Sequence, residues 1–133
     1  MSEDGLIKVA SERPVSETID RLAELAAAKG LNVFARVDHA AGAAKAGLTL
    51  RPTQLLIFGN PTGGTPLMQD RQTAGIDLPL KALAYEDENG RVWLAYNDPA
   101  WIAARHGLGE ASRKAVEAVA TGLAALAQSA VTR

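Results

Sequence analysis

The residues of this chain with chemical potential fall in two short stretches. One is Asn60-Pro61-Thr62-Gly63-Gly64-Thr65-Pro66, which follows an apolar run ending at Phe58. Thr65-Pro66 reads as a helix cap followed by a first helical residue, so a helix is expected to begin at Pro66. A strand that passes through glycines into a helix start leaves main-chain N–H groups pointing outward, with the positive end of the helix dipole behind them. That arrangement suits an anionic or carbonyl-bearing ligand and makes Asn60, Gly63, Gly64 and Thr65 ligand-binding candidates. Gly59-x-x-x-x-Gly64-Thr65 approaches the spacing of a nucleotide-binding P-loop, but threonine stands where the lysine belongs, so the main partner of the β- and γ-phosphates is missing. A competing reading needs no ligand: the glycines serve a tight turn with positive φ, and Thr65 only caps.

The second stretch is Asp38-His39, at the end of an alternating segment. An imidazole beside a carboxylate could act as a general base, so His39 and Asp38 are the catalytic candidates. Against this, Asp38 is also a good N-cap for a short helix and His39 an ordinary first-turn residue. Arg51 would add positive charge to a ligand site. Asp77, before Leu78-Pro79, is a turn acceptor that could orient the glycine loop if the chain folds back. His106 precedes Gly107, where a cationic side chain complements a helix C-terminus. Thr65 and Thr73 could be nucleophiles only with a base that no local spacing supplies. There is no GxSxG elbow and no HxxxH or HxH spacing, so no metal site is expected.

These groups must be positioned by the surrounding elements. Leu6–Ala10 reads as a strand. From Arg13-Pro14 to Lys29-Gly30, Val15, Ile19, Leu22 and Ala26 form one apolar stripe, a helix closed by glycine. Leu31–Val37 alternates as a half-buried strand with Leu31, Val33, Ala35 and Val37 on one side. Asp38 caps a short helix through Ala46. Thr53–Phe58 is apolar on both faces at its end, as a central strand would be. Leu80–Glu86 and Arg91–Asn97 flank Asn89-Gly90, a strong hairpin signal. Asn97-Asp98-Pro99 opens a helix to His106-Gly107, and from Gly109 the chain reads as helix. Helices segregated against an antiparallel sheet make an α+β two-layer domain with helices on one face, and residues 1–133 form a single domain.

Composition narrows the function classes. Net charge is −1 with acids and bases interspersed, so no nucleic-acid footprint is present. The absence of cysteine removes disulfides, thiol catalysis and thiolate metal ligands. No apolar stretch is long enough to span a membrane. Met1–Gly5 is polar and acidic rather than signal-like, so a soluble cytoplasmic protein is expected.

Val37-Asp38-His39-Ala40-Ala41-Gly42-Ala43, Leu50-Arg51-Pro52-Thr53, Phe58-Gly59-Asn60-Pro61, Gly64-Thr65-Pro66-Leu67-Met68, Asp77-Leu78-Pro79-Leu80 and Tyr96-Asn97-Asp98-Pro99 together resemble domain-of-unknown-function family 302. The resemblance covers roughly residues 5 to 108, and 109–133 adds a C-terminal helix without family motifs. It implies a small bacterial or archaeal protein with β-α-β(4)-α order, similar to the TATA-binding-protein-like class, and a homodimer. It implies no reaction, catalytic residue or cofactor. Three functions stay open: a dimeric module binding a small anionic or carbonyl-bearing ligand at the glycine loop; a hydrolase or isomerase with His39 as base and loop amides as oxyanion hole; and a protein-interaction domain. The first two require Asp38, His39 and the loop to converge on one concave surface.

Overall fold

In the computed structural model, residues 4–133 are described; the acidic lead Met1–Glu3 lies outside them. Five strands form one sheet: β1 (Leu6–Ser11), β2 (Asn32–Asp38), β3 (Thr53–Gly59), β4 (Leu80–Glu86) and β5 (Val92–Asn97). Their order across the sheet is β1-β5-β4-β3-β2, with all neighbours antiparallel. Five α-helices accompany them: α1 (Val15–Ala28), α2 (His39–Lys45), α3 (Pro61–Asp70), α4 (Pro99–His106) and α5 (Arg113–Val131). Two short 3-10 helices, Gln72–Asp77 and Glu110–Ser112, precede β4 and α5 respectively.

The layers follow from the side-chain alternation of the strands. Leu56 and Phe58 of β3, Ala82 and Ala84 of β4, and Leu94 and Tyr96 of β5 point to the face covered by α1 and α5. The stripe Val15, Ile19, Leu22 and Ala26 is buried against them, with Leu123 and Leu126 from α5. Burying a side chain of that size contributes about 1.5–3 kcal/mol, so this interface is the main source of stability. A smaller core joins Leu67 of α3, Ala74 of the first 3-10 helix and Val116 of α5, with Leu78 and Ala103 packed against it. It holds the α3 region to the N-terminal half of α5.

The expected two-layer arrangement holds, and what departs from the sequence expectation is strand β2. On the face away from α1 and α5, Leu55, Leu83 and Ala95 lie side by side in register; Leu55 and Leu83 are half-buried and Ala95 is buried. Strand β2 is an edge strand, and Val33 and Val37 on it are 43% and 38% exposed, so it is not half-buried. A register shift between Val33 and Ala35 also breaks its simple alternation. Val33 pairs with Phe58, whereas Val37 pairs with Leu55 on the uncovered face. Arg36, on the helical side, donates to Asp20 Oδ1 at 2.6 Å and to the Ser16 carbonyl, tying this edge to α1.

Candidate functional site

Helix α3 begins at Pro61, five residues before the expected start. The Asn60 side chain accepts a hydrogen bond from the Gly63 N–H at 2.7 Å, which makes Asn60 the N-cap and Pro61 the first helical residue. The Gly64 N–H donates to the Asn60 carbonyl at 3.1 Å, and Thr65 lies inside the helix. The expected row of open amides at Gly63, Gly64 and Thr65 is therefore taken up by the helix and its cap. Thr62 alone in this first turn has an N–H without a partner among the described residues. Pro66, in the helix interior, has no N–H to offer the Thr62 carbonyl, which lacks its usual intrahelical donor.

Gly63 and Gly64 are not turn residues either, since neither has positive φ. An added Cβ at Gly63 would come within 3.5 Å of Asn60 Oδ1 and 3.7 Å of Val119, and one at Gly64 within 3.6 Å of Leu78. These are ordinary contacts. Together with Gly122 of α5, where a Cβ would meet nothing within 4 Å, they border a cavity of about 640 Å³. The cavity lies between the start of α3, the middle of α5 and the ends of β2–β4. Its walls are mostly apolar, with Phe34, Met68, Leu78, Leu80, Val119 and Leu126 prominent. Asn60, Thr62 and Thr65 supply polar side chains at the α3 end, and Lys29 is also among the lining residues.

The remaining sequence candidates lie elsewhere. Asp38 caps α2 by accepting from the Ala41 N–H at 2.9 Å. His39 is exposed at the start of α2, lines neither concavity, and has no hydrogen-bond or ion-pair partner among the described residues. Arg51 donates to the Glu86 carbonyl at 3.2 Å and lines a second concavity, of about 550 Å³, beside Leu55 and Leu83 on the uncovered sheet face. Asp38, His39 and the glycine segment therefore do not converge, because α2 turns away at the edge of the sheet. The arrangement of His39 as general base with loop amides as oxyanion hole is not formed.

Asp77 does take part in a polar cluster, but with groups that local spacing did not single out as its partners. Its Oδ2 lies 2.6 Å from His106 Nε2, and Arg105 Nη1 is 3.0 Å from both carboxylate oxygens. The other ring nitrogen, His106 Nδ1, is 3.0 Å from Thr73 Oγ1. The His106 and Asp77 side chains are 7% and 12% exposed. Arg105 is in turn stacked 5.7 Å from the Trp101 ring. Thr73 and Asp77 come from the first 3-10 helix and His106 from the last turn of α4. Nearby, Asp70 at the end of α3 accepts from Ser112 Oγ at 2.7 Å and from the Gly109 N–H, which hold its carboxyl below the ordinary carboxylate value. No group of three or more His, Cys, Asp or Glu side chains placed to hold a metal occurs among the described residues.

Comparison with known proteins defines the class. A protein of 21% sequence identity, the "uncharacterized conserved protein DUF302 from Bacillus stearothermophilus", has a crystal structure that superposes with a TM-score of 0.83 over 95% of this chain and 98% of its own. That likeness establishes the α+β fold. The chain belongs to the family described as "Domain of unknown function DUF302", whose profile matches residues 7–128. It is also 58% identical over 120 residues, 90% of its length, to "Fluoride-specific ion channel FluC 1" of Brucella suis biovar 1 (strain 1330) and to the protein of the same name from Brucella abortus biovar 1 (strain 9-941). The matched region is 47% and 44% of those two proteins, so the chain spans about half the length of the curated relatives it matches. No helix among its described residues is long and apolar enough to cross a membrane.

Proposed function

We propose that this chain is a dimeric binding module that takes a small amphipathic molecule, an apolar body ending in a carboxylate or carbonyl group, into the cavity bordered by α3 and α5. The observation that carries this reading is the glycine content of the cavity wall. Gly63, Gly64 and Gly122 all lie in helices, where glycine costs about 1 kcal/mol relative to alanine. Neither a positive φ nor a close approach calls for glycine at any of the three. An open cavity does. The size falls within the range of about 300–1,000 Å³ usual for small-molecule sites. The Thr62 N–H at the positive end of α3 and the Lys29 ammonium favour oxygen-bearing, anionic ends over cationic ones.

The homodimer belongs to the same proposal. Half-buried Leu55 and Leu83, together with the exposed Leu6 and Leu50, give the uncovered sheet face an apolar character that a second copy would bury. The Brucella relatives supply a context rather than a role. A pore in those proteins would belong to the half this chain does not match, because no helix among the described residues is long and apolar enough to cross a membrane. We read the matched half as a cytoplasmic module carried beside it. Calorimetric titration with decanoate, decanol and decylammonium tests the ligand class. Decanoate is expected to bind best and decylammonium worst. No binding of any of the three, or tightest binding of the ammonium, refutes the reading.

A further inference from the structure

We propose that Thr73 is a nucleophilic hydroxyl, activated by His106 and oriented through Asp77, and that it accepts acyl groups from small activated esters. The inference is independent of the cavity and rests on the polarity of one hydrogen-bonded chain. At 2.6 Å from a carboxylate oxygen, His106 Nε2 must carry a proton, since a bare ring lone pair would face the charge of Asp77. In the neutral ring that leaves Nδ1 as an acceptor. The group 3.0 Å from Nδ1 is the Thr73 hydroxyl, which therefore donates to it. Hydroxyl to imidazole to carboxylate is the connectivity that turns a weak nucleophile into a reactive one. Arg105 holds the far side of the Asp77 carboxylate, fixing its orientation.

Three features distinguish this cluster from a buried structural tie. Thr73 itself is exposed, so its oxygen can be reached while the base behind it is shielded. In a 3-10 helix residues i and i+3 share a face, which sets Ile76 beside Thr73. Ile76 is 72% exposed, the most exposed large apolar side chain among the described residues, and it gives a small acyl group something to rest on. Arg71 brings a cation near the His106 end of the cluster. Its Nε lies 4.0 Å from the position a Cβ would take on Gly107, the neighbour of His106, and the residue makes no salt bridge among the described residues.

The step balances with an ester as the only co-reactant besides water. Thr73 Oγ1 attacks the carbonyl carbon as its proton passes to His106 Nδ1. The tetrahedral adduct collapses with cleavage of the ester C–O bond, and the alkoxide or phenoxide leaves with the bonding pair and takes up the proton. Water then adds to the acyl-threonine, giving a proton to Nδ1. As the acyl C–O bond breaks, the carboxylic acid leaves and Thr73 recovers its proton.

The test uses p-nitrophenyl acetate with the whole chain, following release of p-nitrophenolate and locating acetyl groups by peptide mass spectrometry. An acetyl group on Thr73 is expected, at a rate reduced at least ~100-fold in Thr73→Val and His106→Gln. Asp77→Asn is expected to lose most of the rate because the amide can donate to Nε2 and reverse the tautomer. Thr73→Val touches only an exposed side chain and should keep the wild-type melting temperature, which separates lost chemistry from lost folding. His39→Gln should leave Thr73 acylation unchanged. Acetylation confined to lysines or His39, or a Thr73→Val rate equal to wild type, would overturn the proposal and reduce the cluster to a tie between α4 and the 3-10 helix.

Discussion

Replacing Gly122 separates the cost of the cavity from its use. Gly122 sits in α5 without positive φ, and a Cβ there meets no heavy atom within 4 Å. Gly122→Ala should therefore recover the helix propensity that glycine forgoes, about 1 kcal/mol, and raise Tm by about 3–5 °C for a domain of this size. Gly122→Leu should gain at least as much, because its side chain enters a space walled by Val119, Leu123 and Leu126. The same side chain occupies room that about three methylenes of an alkyl ligand would use. At about 0.8 kcal/mol for each buried methylene the loss is about 2.4 kcal/mol, a ~50-fold rise in Kd. Thermal unfolding measures the first effect and titration with decanoate the second. A more stable variant with weaker binding is the expected pair. If Gly122→Leu is instead destabilised, or binds decanoate as tightly as the parent, the glycines are not there to keep a cavity open and the argument from them fails.

Other parts of the structure make separate predictions. Asn60→Ala removes the side chain that caps α3 and leaves the Gly63 N–H unpaired, so urea unfolding should show a loss of about 1 kcal/mol. Leu83→Glu places a charge in the middle of the uncovered sheet face; sedimentation velocity should show a dimer for the parent and a monomer for the variant, with an unchanged far-UV spectrum. Asp70 and Asp87 are both held below the ordinary carboxylate value of 3.8, Asp70 by Ser112 and Gly109, Asp87 by Trp93 Nε1 and the Arg91 and Asn89 N–H groups. Their native carboxyls bind protons less readily than in the unfolded chain, so their stabilisation is complete above the unfolded value and is lost as pH falls through the lowered native one. Urea midpoints should drop below pH ~4 in the parent, and less steeply in Asp70→Asn, which begins from a lower midpoint at neutral pH.

The fold was readable in the sequence where local signals and burial agree. Val15, Ile19, Leu22 and Ala26 repeat at helical spacing and are the residues α1 buries. Asn89-Gly90 closes the β4–β5 hairpin, with Asp87 accepting from the Asn89 and Arg91 N–H groups across the turn. Asp38 and Asp98 cap the helices their positions foretold. The start of α3 was misread because two cap-plus-proline signals lie within one turn, Asn60-Pro61 and Thr65-Pro66. Two glycines and an internal proline argue against helix by propensity, and the contacts of Leu67 in the smaller core override them. The Thr73–His106–Asp77 cluster had no local signature at all, since its members are separated by 33 and 29 residues. Only the packing of α4 against the first 3-10 helix brings them together. The one available hint was His106 immediately before Gly107, which a favourable charge at a helix C-terminus accounts for equally well.

The cavity and the hydroxyl cluster are adjacent through two consecutive residues. Asp77 faces His106, and Leu78, the next residue, lines the cavity wall. A second link runs through Met68, another wall residue, whose sulfur lies 3.2 Å from the position a Cβ would take on Gly75, two residues after Thr73. At Gly75, unlike Gly63, Gly64 and Gly122, a methyl group would press on a neighbour, and the Met68 side chain would have to give by a few tenths of an ångström. The 3-10 helix is thus held between a cavity on one side and an imidazole on the other, with Ala74 fully buried in the smaller core. A segment fixed in this way transmits displacement instead of absorbing it, because close-packed interiors have little free volume to take up strain. A displacement of Leu78 or Met68 would therefore be felt at Asp77 and Gly75, which flank the hydrogen-bonded chain through His106.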